Sequence, residues 1–182
     1  MDWDLMLADL ESSFDAERRA DLVAQSAELA EAEHASIEVV DRLRGTVGRL
    51  IHLRTRSGVP VDGLVTRVEP AYLLVDEGEG LQAIVPLAAV ATMTVLAGPA
   101  PRDDRRRPTL GALLREIARR GARVRLVLGA GEVVGQLVRV GSDHVDVALD
   151  PEGGIRARRA PGAGGAGIVS VMTAAIEVLR SR

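Results

Sequence analysis

The phrase "GLVTRVEPAYLLVD", Gly63 to Asp76, is written a second time as "GQLVRVGSDHVDVALD", Gly135 to Asp150. At an offset of 72 positions Gly63 meets Gly135, Arg67 meets Arg139, Val68 meets Val140 and Val75 meets Val147. Apolar residues also meet at Val65/Leu137 and Leu73/Val145. A chain that repeats such a stretch is expected to build one kind of unit twice, each of about 60 to 70 residues. That is longer than the usual solenoid repeat and fits two small domains within 182 residues.

The segments around each phrase share an order. In the first copy, "RLIHLRT", "VDGLVTRV", "AYLLVD", "LQAIVPL" and "VATMTVL" are separated by Ser57-Gly58, Glu69-Pro70, Glu77 to Gly80 and a tight Ala-rich turn. In the second, "ARVRLVL", "EVVGQLVRV", "HVDVALD", "IVSVM" and "AAIEVLRS" follow the same plan. Short apolar runs with tight breaks predict antiparallel strands. Val145, Val147 and Leu149 alternate with His144, Asp146 and Asp150, the pattern of a half-buried strand. Glycines inside strands, Gly63 and Gly135, predict a bend or bulge. "VPLAAVATM" and "VMTAAIEVL" align as the ends of the two copies.

Helices are expected ahead of each copy. Trp3, Leu7, Leu10 and Phe14 lie on one helical face, and neither Gly nor Pro interrupts the chain before Gly45. Thr109 is placed to cap a second helix with Leu110, Leu113, Leu114 and Ile117 on its apolar face, and Gly121 ends it. "SIEVV", Ser36 to Val40, reads as a short strand, with Asp41 capping the turn after it. The expected divisions are an acidic helical arm at 1–35, a first barrel at 36–97, a Pro/Arg linker at 98–108, and a second barrel at 109–182 with a Gly/Arg-rich loop at 151–167.

This order resembles the Sm-like fold, in which an N-terminal helix precedes five strongly bent strands. The residues that carry the resemblance are "VRLVLGAGEVVGQLVRVGSDHVDV" and "IHLRTRSGVPVDGLVTRVEPAYLLV". The chain also looks like actinobacterial proteins with two such barrels after an acidic helix. The resemblance implies a mainly β fold with helices: a long N-terminal helix followed by two tandem five-stranded Sm-like or SH3-like barrels. It implies docking through barrel edges, and RNA contact from the turn between the second and third strands. The matching positions are Tyr72 in the first copy and Asp143, His144 and Asp146 in the second. The Arg-Gly pair that Sm-like families place before their last strand is absent, and "VPLAAV" and "VMTAAI" stand there instead.

Charge adds a second lead. All 23 basic side chains other than histidine are Arg. Residues 1–41 hold twelve acids and two Arg, so 2 − 12 = −10, while the remainder holds fourteen acids and twenty-one Arg, so 21 − 14 = +7. Arg forks suit phosphate oxygens, which makes Arg105, Arg106, Arg107, Arg119, Arg120, Arg156, Arg158 and Arg159 candidate nucleic-acid contacts. Single-strand binders usually add aromatic platforms, and the aromatics here are only Trp3, Phe14 and Tyr72.

Other chemistry is not written in the chain. There is no cysteine, and His34, His52 and His144 lack metal-ligand spacing. Gly162 to Gly167, "GAGGAG", matches a dinucleotide pattern but follows "RRAP" rather than a strand, so it reads as a loop. The expectation is a cytoplasmic, non-enzymatic protein with no cofactor and no membrane contact. It acts as an assembly or binding module with a homo-oligomeric or protein partner through the barrel edges and the N-terminal helix. The alternative is an RNA- or DNA-binding regulator in which the acidic helix competes for the Arg surface.

Overall fold

A computed structural model describes residues 3–94, 97–100, 107–150 and 167–181. The chain divides into two compact units, 1–38 and 39–182. The first is a single helix, α1 (Trp3–Ala35), whose described side chains are exposed. No described helix is long and apolar enough to cross a membrane.

The second unit is mainly β. Its strands are β1 (Leu50–Thr55), β2 (Pro60–Val68), β3 (Tyr72–Gly78), β4 (Leu81–Pro86), β5 (Val90–Met93), β6 (Arg123–Leu128), β7 (Gly131–Val140), β8 (His144–Leu149), β9 (Ile168–Met172) and β10 (Ile176–Ser181). They are the runs expected from periodicity. Helices α2 (Val39–Arg44) and α3 (Leu110–Arg120) precede the two groups of strands. Single 3₁₀ turns, Leu87–Ala89 and Thr173–Ala175, link β4 to β5 and β9 to β10, where Ala-rich turns were expected.

Two expectations need correction. Val39 and Val40 are helical rather than extended, because α2 turns Val40 and Leu43 into the core together. More importantly, the strands do not close into two five-stranded barrels. They form one open antiparallel sheet of ten strands in the order β5-β1-β2-β3-β4-β10-β6-β7-β8-β9.

The reason lies in β4 and β10. Each is buried on both faces: Ala83, Ile84 and Val85 are buried in β4, as are Ile176, Glu177, Val178 and Leu179 in β10. A strand buried on both faces belongs in the interior of a sheet, not at its rim. The two strands pair with each other, Leu179 opposite Ile84 and Arg180 opposite Ala83, so neither edge is left to close a barrel. The cores are shared accordingly. Val127 and Val178 join the cluster around Ile51, Val65 and Leu73, while Tyr72 and Ile84 join the cluster around Leu126, Leu137 and Val147.

Both strand glycines mark a close approach. A Cβ on Gly63 would run into the Asp76 carbonyl oxygen, and one on Gly135 into that of Ala148. The bulges come three residues later, at Thr66 and Val138, where the pairing of β2 with β3 and of β7 with β8 slips. α3 is capped as its sequence requires: the Ala112 N–H donates to Thr109 Oγ1 at 3.2 Å, and Gly121 ends the helix at φ 61°.

Candidate functional site

The arrangement that stands out is the join between the two groups of strands, together with the two edge strands at the sheet's ends. Across the join, Arg180 on β10 grips Glu77 on β3 with both prongs of its fork. Nε donates to Oε2 at 2.6 Å and Nη2 to Oε1 at 2.8 Å. Both side chains are largely buried, and the Glu77 bond holds the Arg180 guanidinium above its ordinary pKa. Arg180 also reaches the Pro60 carbonyl at 3.3 Å.

Glu177, the one charge in the buried run of β10, is 4 % exposed. It sits at a bulge between Ile176 and Val178 and accepts from the Ser57 N–H at 3.3 Å and from the Ser57 hydroxyl. Burial works to raise its pKa. Hydrogen bonds from Ser57 and Thr55, with the Arg56 charge, outweigh burial and hold the carboxyl below its ordinary value. The Arg56 guanidinium donates to the Ala174 carbonyl at 3.4 Å. Sequence reasoning missed Ser57, Glu77, Glu177 and Arg180. The available signal was Glu177, a carboxylate inside the apolar run "AAIEVL".

At the sheet's ends, among the described residues, β5 pairs only with β1 and β9 only with β8. Ile168 and Met172 on β9 are 68 % and 52 % exposed. Beside β5 lies an open groove of about 440 Å³ lined by His52, Arg54, Asp62 and Thr92 to Thr94, with His52 Nδ1 2.7 Å from Asp62 Oδ1.

The turn residues expected to meet RNA are placed unequally. Tyr72 is 1 % exposed and packed in the second core cluster, with no ring face open to a base. It lies near the buried carboxylate of Glu69, which takes the Arg67 Nε–H at 2.6 Å and has Arg107 at 3.6 Å. Burial first, then the Glu69 charge, push the Tyr72 phenol up. His144, by contrast, is half-exposed at the start of β8, with Nδ1 2.8 Å from Asp143 Oδ1. That bond holds the Asp143 carboxyl below its ordinary range. Asp146 accepts from the Ser170 hydroxyl at 2.6 Å and so ties β8 to β9.

No family model matches this chain, and no curated protein matches it.

The Arg candidates are likewise dispersed. Arg107 donates to the Val68 carbonyl at 3.2 Å, beneath the turn between β2 and β3. Arg119 and Arg120 both bind Glu116 on their own helix, Arg120 at 2.8 Å, and these bonds lower the Glu116 carboxyl. Arg105, Arg106, Arg156, Arg158 and Arg159 lie outside the described residues, as do most of the linker and of the loop holding "GAGGAG". Among the described residues no group of His, Asp and Glu could hold a metal ion.

Proposed function

We propose that the two groups of strands are copies of one unit, and that the chain is a non-catalytic assembly module joining second copies of itself through its open sheet edges. The order of bent strands resembles that of Sm-like proteins, and common descent without closed barrels accounts for it. One observation carries the reading. The join at the sheet's centre is made by the fourth strand of the first group and the fifth strand of the second, β4 and β10. The strands left open at the rims are the fifth of the first group and the fourth of the second, β5 and β9.

The rims are therefore the two complementary sides of a join the chain already makes once. The local geometry is matched. Leu53 pairs with Met93 as Leu126 pairs with Leu179, and Val75 pairs with Ala83 as Val147 pairs with Val169. Both β5 and β10 skip one residue in their pairing, Ala91 and Glu177. Transferring the central register places Met93 of one copy opposite Ser170 of the next. An unpaired strand edge is a template for another strand, and a head-to-tail contact makes rings or filaments according to its rotation.

Sedimentation velocity over a range of concentrations tests the reading. Species heavier than the 19.3 kDa chain are expected, and Ile168→Lys, which puts a charge on the β9 rim, should return them to monomer. A chain that stays monomeric throughout would overturn the proposal.

A further inference from the structure

A groove of about 540 Å³ runs between α3 and β7, lined by Ala112, Arg115, Ala118, Arg119, Val138, Arg139 and Val140. Its floor is apolar. Val138 is 51 % exposed because the bulge in β7 turns it outward. Its walls are guanidinium groups from two elements. Among the described residues, several Arg of the β unit are held by carboxylates: Arg44 by Asp41, Arg67 and Arg107 by Glu69, Arg120 by Glu116, Arg123 by Asp150, Arg125 by Glu132 and Arg180 by Glu77. Arg115 and Arg139 have no ion pair among the described residues, and both are exposed on this groove. Arg119 shares Glu116 with Arg120, and Asp146, opposite Arg139 in the register, accepts from the Ser170 hydroxyl.

We infer that this groove docks an acidic polypeptide segment carrying an apolar anchor residue. The chemistry selects that occupant. The groove is open and shallow, so it cannot enclose a small molecule as ligand pockets do. It has no aromatic wall on which a nucleotide base would stack. Ala112, Ala118, Val138 and Val140 offer an apolar strip that phosphates would leave uncovered. A Leu or Val side chain fits that strip, and Asp or Glu beside it meets the forks of Arg115 and Arg139. The site is separate from both sheet rims, so it stands whether or not copies associate.

The test uses the full chain and a fluorescent 16-residue peptide of Glu with Leu at helical i, i+4, i+7 spacing. Controls are the same peptide with Lys for Glu, and oligothymidine. The acidic peptide should bind, more weakly as salt rises, and the Lys peptide should not. Arg115→Ala with Arg139→Ala should weaken binding by about tenfold or more, since each removes a charge-assisted contact. Arg49→Ala, exposed just ahead of β1 in the other group of strands, should leave it unchanged. Glu116→Gln frees Arg119 and should tighten binding about two- to fivefold, a gain that misfolding does not produce. Equal binding by the Arg115/Arg139 variant, failure of the acidic peptide to bind, or stronger capture of oligothymidine by the same Arg pair would each overturn the inference.

Discussion

Ser57 and Glu177 stand 120 positions apart and meet across the central join. The Ser57 N–H and hydroxyl both donate to Glu177 Oε2, the N–H at 3.3 Å. The turn after β1 is thereby tied to the bulge of β10. Glu177→Ala should destabilise the chain by about 1–3 kcal/mol, because two hydrogen bonds to a buried charged acceptor are lost. Chemical denaturation monitored by circular dichroism checks this.

The same carboxylate sets a pH dependence. Its folded pKa lies below the ordinary carboxylate value, so the unfolded chain takes up this proton at higher pH than the folded one. The stabilisation is present above the ordinary range and is lost as pH falls through the lowered folded value. The stability difference between the wild-type chain and Glu177→Gln should shrink between neutral and strongly acidic pH. A constant difference would show that Glu177 is not the group titrating.

Arg180 and Glu77 should couple. Each single Ala substitution leaves a largely buried charge unpaired, whereas the double substitution removes both. A double-mutant cycle should give a coupling of about 1–2 kcal/mol. Additive effects would mean that the fork seen at 2.6 and 2.8 Å contributes no stability.

Gly63→Ala and Gly135→Ala should each cost about 1–3 kcal/mol or more, because the added carbon meets a backbone carbonyl that cannot rotate away. Gly129→Ala is the control. Its new carbon would lie 3.6 Å from Glu177 Oε1, an ordinary contact. Thermal unfolding of the three variants should separate the strand glycines from Gly129.

Association of copies should depend on what replaces the Ser57–Glu177 pair at the rim. Ala91 stands on β5 where β10 has Glu177, and Ala130 stands in the turn after β6 where the first group has Ser57. Ala91→Glu should therefore block association, since the introduced carboxylate finds no donor across the rim. Adding Ala130→Ser should restore it. Sedimentation of the single and double variants distinguishes this rescue from general loss of folding.

Much of the architecture was legible in the chain. The ten strands, α1, the capped α3 and the tight turns follow from apolar alternation, Thr109, Gly121 and the Ala-rich links, because these are local signals. α2 was misread because "SIEVV" is β-branched, a weak local preference that the burial of Val40 and Leu43 overrides. Tyr72 and His144 occupy equivalent places at the starts of β3 and β8. Periodicity does not tell them apart, yet one is buried and the other half-exposed. The difference comes from the second core cluster, which Tyr72 enters and His144 does not.

By itself, the sequence determined most of the elements, their order and the uneven charge. Each depends on residues a few positions apart. The tertiary structure alone decided that β4 pairs with β10, that the sheet stays open, and that Ser57, Glu77, Glu177 and Arg180 come together. Backbone edges carry no side-chain signature of their partner, so which edges pair is settled only when both faces of β4 and β10 find apolar cover.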